Sequence, residues 1–242
     1  SLFKDPSLYG RHLVIPIAVL LVAVLLRRNG PLDWAAAAGI GAFLFWGLFY
    51  SYSQSSFVAL FVVTFAVALL VLGKWLRVAL LACALAVALA AAAVAADAIG
   101  NRPARDVTSG RSRLVSVTLD VFEKRPVAGV GIGGQPRAST ELSKRGSPNR
   151  NASHTTPLTG LAEQGVIGLA LYAWLLGAAA WALLLVARHD RLLGVGLAAV
   201  LLVLVTHSLL YAGFFEDPLA WGILGLTAAS LAVSGTATRG TP

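Results

Sequence analysis

The sequence has no methionine, one cysteine and little charge. Without Met it lacks a start residue of its own, and we expect a processed product or part of a longer protein. Cys83 lies inside an apolar run, so there is no disulfide framework, and no Cys/His metal spacing occurs. Charged residues make up 12% of the chain and hydrophobic residues 57%, whereas a soluble domain usually carries about 25% charged residues. Half that share cannot cover a globular surface with polar groups. With a mean hydropathy of +0.78, lipid is the natural solvent. The first apolar run starts near Leu13 with no small-residue cleavage site behind it, so it reads as a span and not as a signal peptide. A net charge of +8 would indicate nucleic acid on a soluble protein. Here its distribution points elsewhere, and no nucleic-acid partner is expected.

Seven apolar segments are legible, at about 12–26, 32–50, 57–73, 76–99, 158–187, 192–214 and 218–234. Several approach the roughly 20 residues that cross a bilayer. The first contains Pro16, and the fifth is long enough to hold an interfacial turn before its span. The expected fold is an all-α polytopic membrane protein of about seven transmembrane helices. Four lie in 1–99, a long basic loop with a short helix occupies 100–157, and three lie in 158–242. Arg27 and Arg28, Lys74 and Arg77, Arg188 and Arg191, and Arg239 then fall on one side, which reads as cytoplasmic. The opposite connections are 51–56, 100–157 and 215–217. The short ones carry no Lys or Arg, and the last holds Glu216 and Asp217. The long loop therefore faces outside. It carries ten Lys/Arg against four Asp/Glu; long loops are largely exempt from the charge rule. A basic surface beside a membrane attracts an anion or acidic lipid headgroups.

Within the loop, Leu114, Val115, Thr118, Leu119 and Phe122 have helical spacing, with Ser109 as cap and Pro126 as stop. The glycine run 129–134 lets backbone approach a ligand closely. As a phosphate loop it is a weak signal, because no strand precedes it and no Gly-Lys-Ser/Thr is present. Thr156 and Pro157 mark a helix start, which puts His154 beside the positive end of a helix dipole. That setting favours the neutral imidazole, a competent proton acceptor. The same residue also reads as an ordinary exposed loop histidine. Glu163 lies near the start of a span, where a carboxylate is costly unless paired or hydrated. It is a functional candidate or the partner of a loop arginine. Gly165 and Gly168 would allow close helix packing. His207 and Asp97 read as solvated groups near span ends.

The stretch from His154 to Gly168 resembles the signature of the O-antigen ligase and polymerase superfamily: a histidine with a polar neighbour, nine residues, then Gly-x-x-Gly. Other pieces follow the family's order. Ser109-Gly110-Arg111 and Arg125-Pro126-Val127-Ala128-Gly129-Val130-Gly131 look like its external arginine helix and its Pro-x-x-Gly-Val-Gly turn. Residues 2–11 look like its Phe-x-Asp-Pro-Asn stretch, and Tyr52-Ser53-Gln54-Ser55-Ser56 stands where Thr-x-Ser-Arg is common. Thr155, Ser7 and Gln54 depart from the usual residues. The resemblance covers the later part of a typical member, so four or five N-terminal spans are expected to be absent.

The resemblance implies a fold related to the helical membrane glycosyltransferases (GT-C-like), in the bacterial cytoplasmic membrane. It implies transfer of a glycan from undecaprenyl diphosphate to an acceptor hydroxyl, on a glycan or a lipid-linked glycan, with no metal, nucleotide or other cofactor. His154 would be the general base. Arg111 would stabilise the diphosphate leaving group, with Arg113 and Arg11 as further binding candidates. Glu163 would orient His154 or bind a sugar hydroxyl. Gly129 and Gly131 would shape the loop, and Gln54 would stand at a contact that is usually cationic. A transporter or flippase for a lipid-linked glycan, and a non-catalytic membrane subunit, are the rival readings.

Overall fold

The computed structural model describes residues 5–27, 30–101, 111–142, 155–211 and 213–237. Nine helices and no strand form among these residues. They are α1 (Pro6–Leu26), α2 (Pro31–Phe49), α3 (Gln54–Val71), α4 (Lys74–Asn101), α5 (Arg111–Lys124), α6 (Gln135–Leu142), α7 (Thr156–His189), α8 (Arg191–Leu210) and α9 (Pro218–Ala237). By length and composition α1, α2, α3, α7 and α8 can each cross a membrane, and α9 carries a shorter apolar stretch, Pro218–Val233. The chain is a helical multi-pass membrane protein.

Helix starts follow local chemistry. Asp5 caps α1 by accepting the Ser7 N–H at 2.7 Å, so α1 begins at Pro6, several residues before the apolar pattern does, and runs through Pro16. Asp33 reaches back to the Gly30 N–H at 2.9 Å at the start of α2. Asp190 caps α8 through Leu193 N–H at 2.9 Å, and Asp217 caps α9 through Leu219 N–H at 3.0 Å. Each carboxylate satisfies a donor that the first helical turn leaves without a partner.

The chain divides into two compact units, Ser1–Val71 with Ala173–Pro242, and Leu72–Tyr172. The core of the first is built from residues four apart on three helices: Val14, Ala18 and Val22 of α1, Ala59, Val63 and Val67 of α3, and Ala199 and Val203 of α8. Four-residue spacing puts each set on one stripe. Small and β-branched side chains let backbones approach, which is how helices associate where lipid removes the hydrophobic drive. α2 adds only Leu48 to this core. Phe43, Phe45, Trp46 and Phe49 stay exposed, as lipid-facing residues would. The second unit holds α4, α5, α6 and residues 156–172, and its organising feature is a break in α7.

Candidate functional site

Gly165 has φ +65° and ψ −163°, so α7 is helical over 156–164 and again over 166–189, with one extended residue between. That backbone region is open essentially to glycine alone. In an unbroken helix the N–H groups of Val166 and Ile167 would bond to the carbonyls of Ala162 and Glu163. The break removes both bonds, and the preceding loop replaces them. Val166 N–H donates to Pro126 O at 2.9 Å and Ile167 N–H to Val127 O at 3.4 Å. In the other direction Val130 N–H donates to Ala162 O at 3.1 Å and Gly131 N–H to Glu163 O at 2.8 Å. All four groups orphaned by the break are satisfied by the turn 126–131, as buried backbone requires.

This close approach needs two glycines. A Cβ on Gly129, at φ +70°, would lie 2.2 Å from the Glu163 carbonyl carbon, and one on Gly165 would lie 2.2 Å from Val127 O. The two glycine motifs are therefore the two halves of one interlock. The close helix packing expected of Gly165 and Gly168 is not what they do. Gly165 ends a helix, and Gly168 makes room for the Gln164 side chain, which a Cβ there would meet at 2.2 Å. Gly131, at φ +97°, has open space where a Cβ would be, so its glycine serves the turn's backbone and not a contact.

Glu163 faces the start of α6. Its Oε1 accepts the Gln135 N–H at 3.4 Å, where the helix dipole favours a carboxylate. It forms no ion pair with any described residue. Gln135 is itself buried and donates through Nε2 to Thr118 Oγ1 at 2.7 Å, which holds α6 against α5. Thr118 in turn donates to Leu114 O at 2.7 Å. Beside this framework opens a cleft of about 710 Å³, lined by Lys124, Arg125, Arg137 and Glu141 and by the backbone of the glycine run at Gly133 and Gly134. Three cations against one acid make it an anion-attracting site. Among the described residues no cluster of three His, Cys, Asp or Glu side chains forms.

The sequence model of a family described as O-antigen ligase matches residues 39–173, more than half of the chain. The chain belongs to the O-antigen ligase family. No curated protein matches it. Membership places it among membrane proteins of ligase- and polymerase-type glycan processing, in polysaccharide biosynthesis. The matched span contains the interlock, the basic cleft, Gln54 and His154.

The O-antigen ligase site residues expected from sequence fall in different places. His154 lies outside the described residues. Arg111 and Arg113 lie on the first turn of α5, and their side chains are likewise outside the description. Glu163, Gly129 and Gly131 come together at the interlock. Gln54 is exposed at the start of α3, in the first unit.

Arg11 is also in the first unit. It is no exposed arm: Nη1 meets Asp217 Oδ2 at 2.7 Å, with both side chains about nine-tenths buried. Around this pair Tyr211 Oη donates to Asp5 Oδ2 at 2.7 Å. His207 is buried, not solvated, and its Nε2 lies 3.2 Å from Ser7 O. The cluster ties the ends of α1, α8 and α9 together, which makes Arg11 a strut. Burial pushes the Asp5 carboxyl up, but the hydrogen bonds from Tyr211 and Ser7 outweigh it and leave the pKa below the usual aspartate value. The same bond to Asp5, then burial, raises the Tyr211 hydroxyl above its usual value. Lys124, Arg137, Gln135 and Asp217 were not among the site residues expected from sequence. Only the basic residues flanking the glycine run gave a signal for the cleft.

Proposed function

We propose that this protein transfers or polymerises a glycan from undecaprenyl diphosphate onto an acceptor hydroxyl at the outer face of the bacterial cytoplasmic membrane. The observation that carries the proposal is the basic cleft beside the interlocked glycine turn, inside the span that matches the family. In this reaction the acceptor oxygen attacks the anomeric carbon, and the bond from that carbon to the diphosphate oxygen breaks. Undecaprenyl diphosphate leaves with the electron pair. His154 takes the acceptor proton, a contribution of roughly 10²–10⁴-fold for a positioned base. Arg111 and Arg113 stabilise the negative charge growing on the diphosphate, and the cleft cations Lys124, Arg125 and Arg137 draw the anionic donor in. Guanidinium groups supply charge that a metal would otherwise supply, so the reaction proceeds in a chelator. Glu163 positions the turn through Gln135, and Gly129 and Gly131 shape it. The proposed topology is seven spans of GT-C-like type with residues 100–157 outside, in keeping with the distribution of Lys and Arg between connections.

The test uses the full chain as it occurs in its membrane, an undecaprenyl-diphosphate-linked glycan and the host acceptor, with chelator present. Wild type should transfer, and His154→Ala and Arg111→Ala should not, at equal protein level. Product size separates polymer from single ligation. Undiminished transfer by His154→Ala would remove the base assignment.

A further inference from the structure

The first unit holds a second cavity, a groove of about 680 Å³ between α3, α7 and α8. Its walls are aliphatic along almost their whole length, and at one end stand Arg188, the second-last residue of α7, and Arg191, the first of α8. On α8 the lining runs from Arg191 to Val205, a rise of about 21 Å at 1.5 Å per residue. Half of a roughly 30 Å hydrocarbon core is shorter than that, so the groove can take the full depth of one leaflet's acyl chain. The hairpin between the helices is tight: a Cβ on Gly194 would lie 2.4 Å from the Ala187 Cα. The two guanidiniums therefore stand at the mouth, on a short connection. Both are exposed, and neither forms an ion pair with a described residue. The acid between them, Asp190, has its carboxylate turned to the Leu193 N–H at 2.9 Å. His189 Nδ1 lies 3.0 Å from Leu185 O. Charge at the mouth is thus cationic.

We propose that this groove binds one anionic phospholipid, its phosphate on Arg188 and Arg191 and an acyl chain along α8. An aliphatic trough ending in two guanidiniums matches that ligand in both parts. Arginine pairs with phosphate in bidentate fashion, and basic pockets between helices on the cytoplasmic side take acidic headgroups. The site is independent of glycan transfer.

The full chain, in detergent, is titrated with dioleoylphosphatidylglycerol or dioleoylphosphatidylcholine and followed by native mass spectrometry and melting midpoint. Wild type should retain one phosphatidylglycerol in preference to phosphatidylcholine and melt higher when it is added. Arg188→Gln with Arg191→Gln should weaken that binding at least tenfold, since the charge-assisted hydrogen bonds to the phosphate are lost. Ala198→Trp, which fills the trough and leaves both arginines, should displace the lipid as well. Lipid-free melting midpoints show that each variant is folded. Equal binding of the two lipids, unchanged binding by the arginine variant, or no retained lipid because another segment of the chain fills the groove would each overturn the proposal. Transfer by the arginine variant should equal wild type, so failure here and failure of the transferase reading are separable.

Discussion

Gly165→Ala is the sharpest perturbation of the interlock. Alanine at φ +65°, ψ −163° pays about 1–3 kcal/mol in backbone strain alone. Its Cβ would also sit 2.2 Å from Val127 O and 2.7 Å from Pro126 O, so the turn must move away. Moving it breaks up to four backbone hydrogen bonds worth about 0.5–1.5 kcal/mol each, or about 2–6 kcal/mol together. The expected loss is at least about 3 kcal/mol, large against the usual margin of about 5–15 kcal/mol for a domain. Gly129→Ala meets the Glu163 carbonyl from the other side and should cost a similar amount. Because both substitutions displace the same ladder, the double variant should cost much less than the two single losses added. Gly131→Ala has open space and carries only left-handed strain, about 1–2 kcal/mol. Gly160→Ala lies in helix with nothing near it and should gain up to about 1 kcal/mol from helix propensity. Melting midpoints of detergent-purified variants, scored beside transfer activity, give the order. A Gly165→Ala protein that melts and transfers like wild type, or one that loses no more than Gly131→Ala, refutes the interlock.

Three further outcomes are expected. Arg11→Ala leaves the buried Asp217 charge without its partner and should cost about 3–5 kcal/mol, whereas Arg11→Met with Asp217→Asn, which removes both charges and keeps the cap on Leu219 N–H, should recover much of it; unfolding of the purified variants checks this. For the Asp5–Tyr211 bond, Asp5 is held below its ordinary pKa, so its contribution is full above about pH 4 and is lost as pH falls through the lowered value. Tyr211 is held above about 10, so its contribution is full below that and is lost as pH rises through the raised value; Tyr211→Phe should flatten both limbs of a stability–pH curve. Finally, Lys124→Gln with Arg137→Gln should raise the donor KM more than it lowers kcat and reduce its salt dependence, because exposed cations act through screened attraction.

Residue pattern predicts most of the helices because an apolar run of sufficient length marks each, and in α1, α2, α7, α8 and α9 an Asp or Pro also marks the start. The helix over 111–124 follows from five residues at helical spacing and the proline after it. What pattern cannot predict is pairing. Arg11 and Asp217 are 206 positions apart, and an arginine just before an apolar run reads as a binding candidate until its partner is placed beside it. His207 likewise looks solvated near a helix end until the Ser7 carbonyl, 200 positions away, is brought against it. The glycine motifs fail in a more instructive way. Gly165 and Gly168 stand one turn apart and read as small residues that allow close helix packing, and that reading assumes the helix continues. Only the loop that takes over the two lost helical hydrogen bonds makes a break affordable, and that loop lies more than thirty residues earlier. Neither motif explains its own glycine, since the atom each one avoids belongs to the other. The two motifs form one structure, and the basic cleft sits beside it. The chemistry proposed for the cleft therefore depends on a backbone joint that carries no charge at all.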